Sequence, residues 1–225
     1  MTDVNRKALV GLMQMVITLP LLVFLPAWTL HYWQAWVCMM SFFVPVTIIT
    51  VVLMKTDPEL LERRTKAGAG AEKEKGQKVI QSFAAVVFVA MFVVPALDHR
   101  FRWSQVPAWA AIAGDVLVVL GFVFVYRVFK ENSFTSGVIE VAAGQKLVTS
   151  GPYALVRHPM YLGSLVMLTG IPLGLGSLWG LLTVATMALV IVWRLLQEET
   201  FLIGHLAGYG EYRERVKYRL VPLVW

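Results

Sequence analysis

Apolar positions along this chain come in long unbroken runs, not in alternation or in one-sided stripes. A membrane crossing takes about 20 apolar residues. Ala8–Leu30 carries no charge, His31 and Tyr32 make a very short turn, and Trp33–Met54 is a second run. The polar stretch Lys55–Lys78 precedes Val79–Leu97. Asp98–Arg102 links that run to Trp103–Tyr126, which only Asp115 interrupts. Arg127–His158 is polar enough to sit outside hydrocarbon. From Pro159 to Trp193 there is again no charge, and that stretch is too long for one crossing. The breakers in Gly170-Ile-Pro-Leu-Gly-Leu-Gly-Ser177 predict two helices, roughly 159–174 and 178–195, joined by a tight hairpin. The first is short for a span, which implies tilt or shelter by protein.

The expected fold is therefore all-α: a polytopic transmembrane helix bundle of about six spans, the last two a helical hairpin, with both termini on one side. It divides into an N-terminal region 1–129, with four spans and a loop at 55–78, and a C-terminal region 130–225, with the hairpin 159–195 and a tail. The start of the chain reads as a retained first span, because no small-residue cleavage site follows Met1–Lys7.

Composition narrows the class. Hydrophobic residues make up 58% of the 225 and charged ones 15%, against about 25% charged in soluble domains. Neither a water-soluble globule nor a disordered chain fits. The net charge of +6 is a topology signal. Arg6 and Lys7, the cations of the 55–78 loop, Arg127, Lys130, Lys146, Arg157, Arg194 and the tail cations Arg213, Arg215, Lys217 and Arg219 share one side. Only Arg100 and Arg102 fall on the other. The positive-inside rule makes the crowded side, and with it both termini, cytoplasmic. Trp28, Trp33, Trp103 and Trp179 mark the opposite interface. Nucleic acid is not an expected partner, since no polar basic module exists; the bilayer is. Cys38 is the single cysteine, and no metal-ligand spacing occurs, so no metal is expected. The glycine-rich Ala67–Gly76 reads as a flexible loop with solvated charges.

Polar chemistry gathers in two segments: Gln145–Gly163, and Arg194–Leu202 with the tail after it. The hairpin brings them together, so Arg157, His158 and Tyr161 are expected beside Arg194, Glu198 and Glu199. Pro159 suits the first helical position, which leaves His158 at the cap. Tyr161 lies three residues on and can face the same site. The free N–H groups there, with Arg157 and His158, favour a carboxylate or phosphate. Arg194 and Glu198 share a helix face, while Glu199 points elsewhere. The plain alternatives are an interfacial Arg-His anchor, ordinary interface tyrosines at Tyr153 and Tyr161, and a simple i,i+4 pair. Asp115 is the one acid deep inside a run, where structural pairing is the expected role. His31 and His99 read as outer-interface residues.

The pattern Gly151-Pro-Tyr-Ala-Leu-Val-Arg-His-Pro-Met-Tyr161, an apolar hairpin, Arg194, Glu198-Glu199, then Gly208-Tyr-Gly-Glu-Tyr212 and Arg219-Leu-Val-Pro222 resembles the isoprenylcysteine carboxyl methyltransferase family and the related phospholipid methyltransferases. The resemblance covers about residues 130–225. It implies an integral membrane methyltransferase using S-adenosylmethionine, held in a cytoplasmic pocket of the C-terminal half. Carried over by position, it implies cofactor contacts from Gln145, Lys146, Leu147, Val148, Tyr153, Arg157, His158, Pro159, Met160, Tyr161 and Glu198. Arg194 matches the arginine that meets the substrate, and the resemblance sets Glu140 against a glutamine upstream. The catalytic set is then Arg194, Glu198 and Glu199. The favoured acceptor is a carboxylate on a lipophilic small molecule or prenylated substrate; an amine acceptor would make Glu199 a candidate base. The alternatives are an NADPH-dependent membrane reductase of the sterol-reductase type and a non-catalytic scaffold or transporter.

Overall fold

The computed structural model describes residues 2–72 and 74–225. Met1 and Lys73, the latter one of the loop cations named above, lie outside them. The described residues form eight α-helices and one 3-10 turn, with no strand. They are α1 Asp3–Ala27, α2 Trp33–Thr56, α3 Pro58–Thr65, α4 Lys75–Phe101, α5 Ala108–Glu131, α6 Pro159–Gly174, α7 Gly180–His205 and α8 Tyr209–Arg215. The 3-10 turn is Gly151–Ala154.

Five helices, α1, α2, α4, α5 and α7, are long and apolar enough to cross a bilayer, and α6 is a shorter apolar helix. The chain is thus a multi-pass membrane protein. Large apolar side chains face outward along these helices, as Met13, Val86, Trp109 and Leu189 do. In water such a surface would be a liability; in lipid it is the ordinary exterior.

Several helices outrun their apolar segments. α5 continues to Glu131 and α7 to His205, because good helix formers, Arg127, Lys130 and Glu131 in the one and Leu196, Gln197, Glu198 and Glu199 in the other, sustain a helix beyond the hydrocarbon. At the other end, α5 begins at Ala108 rather than Trp103, with Pro107 at φ −65° as its cap. α3 appears in the loop that reads as polar linker. Asp57 caps it by accepting from the Leu60 N–H at 2.9 Å, with Pro58 in its first turn.

α5 lies along α6 over their whole shared length, α4 along α7, α1 along α4, and α2 along α5. The core between them holds Val23, Met91, Phe92, Val118, Ile171 and Leu175. Between α5 and α6 the approach is at backbone distance. A Cβ on Gly121 would stand 2.5 Å from Met167 Cβ and 2.6 Å from Met167 N. A Cβ on Gly170 would meet the Gly114 carbonyl. Gly170 and Pro172 therefore lie inside α6 as packing residues, and the chain reverses after them, where Gly176 takes φ +73°. Small residues that let backbones meet are the usual adhesive of membrane helices. This seam shelters α6, whose 16 residues rise only about 24 Å at 1.5 Å each.

Asp115 departs from its expected pairing. It is buried beside Gly174 and Cys38, and neither carboxylate oxygen has a hydrogen-bond partner.

Candidate functional site

The hairpin puts the start of α6 against the last turns of α7. Tyr161 donates its hydroxyl hydrogen to Glu198 Oε2 at 2.6 Å and accepts from Arg194 Nε at 3.1 Å. Arg194 and Glu198 thus meet through one tyrosine, and not as a direct i,i+4 ion pair. His158 caps α6, and its ring lies over Tyr161 with centroids 5.8 Å apart.

A cavity of about 850 Å³, mouth included, opens beside this cluster. Its walls include Gln145, Lys146, Leu147, Val148, Tyr153, Arg157, His158, Pro159, Met160, Tyr161, Arg194 and Glu198, and Glu140 lies on the same wall. The segment 132–148 folds over the cavity as irregular chain. Gln145 holds its turn by accepting from the Ala142 N–H at 2.9 Å. Asn132 donates to the Tyr153 hydroxyl at 3.0 Å. Burial pushes the Tyr153 phenol up to about 12 and raises Tyr209 and Tyr212 as well, so all three are neutral at any physiological pH.

Two buried polar atoms on this wall have no partner, Thr135 Oγ1 and Tyr209 Oη, while His158 Nε2 has only the Glu199 carboxylate, at 3.4 Å. Buried polar groups are nearly always satisfied. Finding two orphans on one cavity points to a polar ligand.

Glu199 is not on the cavity wall. Its buried carboxylate accepts from Arg157 Nε at 2.6 Å and from Arg219 Nε at 2.9 Å, with His158 Nε2 at 3.4 Å. Arg157 in turn donates to the carbonyls of Val216 at 2.8 Å and Lys217 at 3.1 Å. Backbone bonds from Arg157 N to Tyr218 O and from His158 N to Arg219 O, both 2.9 Å, complete the strap. The base candidate for an amine acceptor is therefore a carboxylate already committed to two guanidinium groups. Arg157 lines the cavity, but its bonded donors serve Glu199 and the tail. That tail brings Tyr209 and Tyr212 to the wall, the Tyr212 hydroxyl donating to Tyr153 O at 2.7 Å.

Arg194 is equally committed. Besides Tyr161 it meets Gln77 Oε1 at 3.1 Å, the Gly137 carbonyl at 3.1 Å and Glu72 Oε1 at 2.8 Å. With its amide turned over, Gln81 also accepts from Arg194, at 3.0 and 3.2 Å. Glu72 comes from the glycine-rich loop that reads as flexible and solvated; it is buried against Arg194 and the Ile139 N–H instead. Burial of this acid follows from its ion pair, since an unpaired carboxylate would not stay there. Glu72 has no sequence signal. Gln77 has one: it falls in register with Ile80, Val87 and Met91, a glutamine on the buried stripe of α4.

Residues 109–207, from α5 to the end of α7, match the sequence model of the family described as Phospholipid methyltransferase. A mouse (Mus musculus) Delta(14)-sterol reductase is 34% identical over 90 residues. Those residues are 39% of this chain and 22% of the reductase, so the chain matches about a fifth of that relative's length.

Proposed function

We propose, from the match of residues 109–207 to the phospholipid methyltransferase family model, that this membrane protein is a methyltransferase that uses S-adenosylmethionine and acts on a lipophilic acceptor. The single observation that carries the cofactor reading is the pair of orphaned polar atoms, Thr135 Oγ1 and Tyr209 Oη, on one cavity wall. Bound there, S-adenosylmethionine supplies a methyl on a positively charged sulfur, which passes to the acceptor as the carbon–sulfur bond breaks.

The chain's own part is to hold and orient. Glu198 keeps one carboxylate oxygen clear of Tyr161 and suits an amino or ribose donor. His158 and Tyr161 frame the amino-acid end, and Gln145, Lys146, Leu147 and Val148 line the remainder. With Pro159, Met160 and Tyr153 they exclude water, so the catalytic gain comes from positioning and desolvation. Arg194 receives an anionic acceptor head. Because Glu72 already takes one of its donors, the head must displace Glu72 or share the fork. A carboxylate acceptor needs no base, which agrees with Glu199 being committed elsewhere. The pocket faces the cytoplasm under the charge bias, and the acceptor's tail enters from lipid.

The test is incubation of purified protein with methyl-labelled S-adenosylmethionine and a lipid panel. Label transfer is expected, base-labile for an ester. Arg194→Ala and Glu198→Ala should each lower it at least about 100-fold, the effect of losing one strong oriented contact in the transition state. Full transfer by either variant would overturn the assigned role. The second reading, an NADPH-dependent reductase, is favoured by the sterol reductase likeness. Binding of NADPH with no binding of S-adenosylmethionine would establish it in place of the first.

A further inference from the structure

A second cavity lies at the far end of the bundle, where α1, α2 and α4 end or begin and the α6–α7 turn closes over. It measures about 1140 Å³ with its mouth, and its walls carry His31, Gln34, His99, Arg100, Arg102 and Gln105. No carboxylate is among the described residues that line it. We propose that this cavity binds the phosphate of an anionic phospholipid headgroup, with Arg100 and Arg102 as its principal donors.

The cavity is built, not incidental. Beneath it Asp98 accepts from the Ser104 N–H and hydroxyl, both at 2.6 Å, and from the Ser177 hydroxyl. Ser177 also accepts from the Gly180 N–H at 2.9 Å. The Tyr32 hydroxyl donates to the Leu175 carbonyl, and the Tyr32 ring stacks on His99 with centroids 3.7 Å apart. These bonds tie α2, α4, the 102–107 link and the hairpin turn into one floor. They also engage the Asp98 carboxylate in the floor, which leaves the described residues of the wall cationic.

Backbone conformation is the second observation. Three non-glycine residues among those described have positive φ, and two of them, Trp28 and Arg102, both at φ 57°, line this cavity. Each ends a helix at a place where glycine is the unstrained choice. A tryptophan and an arginine kept there at a conformational cost have side chains that the site uses. Arg100 lies 5.5 Å from the Trp28 ring centroid and 5.3 Å from that of Phe101. Stacking orients the guanidinium plane and leaves its edge donors for a planar two-point contact with phosphate.

Charge bias argues the same way. Arg100 and Arg102 stand apart from the cations at the opposite end, against the trend that governs the rest of the chain. Two arginines as mere anchors would need neither a cavity nor left-handed backbone. The occupant is a lipid because Trp28, Trp33, Trp103 and Trp179, all exposed at this end, set the cavity at headgroup depth.

The test uses full-length protein in nanodiscs of phosphatidylcholine with phosphatidylglycerol, followed by release and native mass spectrometry. Wild type should retain phosphatidylglycerol, and the double variant Arg100→Gln/Arg102→Gln should lose it at least about tenfold. Arg6→Gln/Lys7→Gln, which removes the same charge at the other end, should retain it. Arg100→Lys/Arg102→Lys, which keeps charge and loses the fork, should fall between wild type and the glutamine variant. Helical circular dichroism checks that each variant is folded. Equal retention in wild type and the glutamine variant, or equal loss in the Arg6/Lys7 control, would overturn the proposal. So would arginine-dependent binding of inorganic phosphate in detergent with no lipid retained, which would assign the cavity to a soluble anion.

Discussion

Glu199→Ala should destabilise the protein by about 3–5 kcal/mol, the cost of stripping the partner from a buried ion pair. Glu199 and Arg157 are each about 95% buried in their side chains (5% and 4% exposed), and Arg219 is 33% exposed. Truncation leaves Arg157 charged in a site that water barely reaches. The strap to Val216 and Lys217 then loses its electrostatic anchor, and the tail carrying Tyr209 and Tyr212 loosens from the cavity. Thermal unfolding in detergent should show a midpoint drop of about 6–20 °C, taking about 2–4 °C per kcal/mol for a chain of this size. Glu199→Gln retains the shape without the charge and should fall between wild type and alanine. A Glu199→Ala protein that unfolds at the wild-type temperature would show that the three-way contact contributes nothing. Ligand binding should weaken in the same variant, since the tail that carries two aromatic walls of the pocket is anchored in part through this hub.

The second large effect is expected at the seam of α5 and α6. Gly121→Leu places a branched side chain where a first carbon already stands 2.5–2.7 Å from Met167 Cβ, N and Cα. Backbone cannot step aside as a flexible side chain would. The helices must separate, at about 3 kcal/mol, the upper end of overpacking costs, and the midpoint should fall by about 6–12 °C. Gly11→Leu on α1 is the control. Nothing lies within 4 Å of a Cβ there, so better helix propensity and lipid contact should leave stability level or slightly raised. Equal effects from both substitutions would mean that the seam is not close-packed.

The helix pattern was legible because lipid imposes a crude rule: a span must be long, apolar and free of charge. The limits 159–174 for the short helix follow from Pro159 and from the Gly174–Gly176 exit, and both are local chemistry. The neighbourhood of Tyr161, Arg194 and Glu198 was legible for a topological reason, since a hairpin must return its second helix to the level where the first began. What Arg194 and Glu199 do there was not. Either residue could face a ligand or the protein, and the choice depends on Glu72, Gln77 and Arg219, which arrive from distant stretches. Glu72 in particular sits among glycines and lysines, where composition argues for solvent.

From the chain alone come the spans, the charge asymmetry between the two ends and the meeting of α6 with α7. These rest on short-range propensities and on the cost of burying charge in hydrocarbon, which any stretch of sequence carries within itself. Tertiary packing decided that the glycines of α5 and α6 serve close approach, that Glu199 braces the tail, and that Glu72 pairs with Arg194. Those outcomes depend on which backbones come within a few ångströms, and residues far apart in the chain settle that jointly.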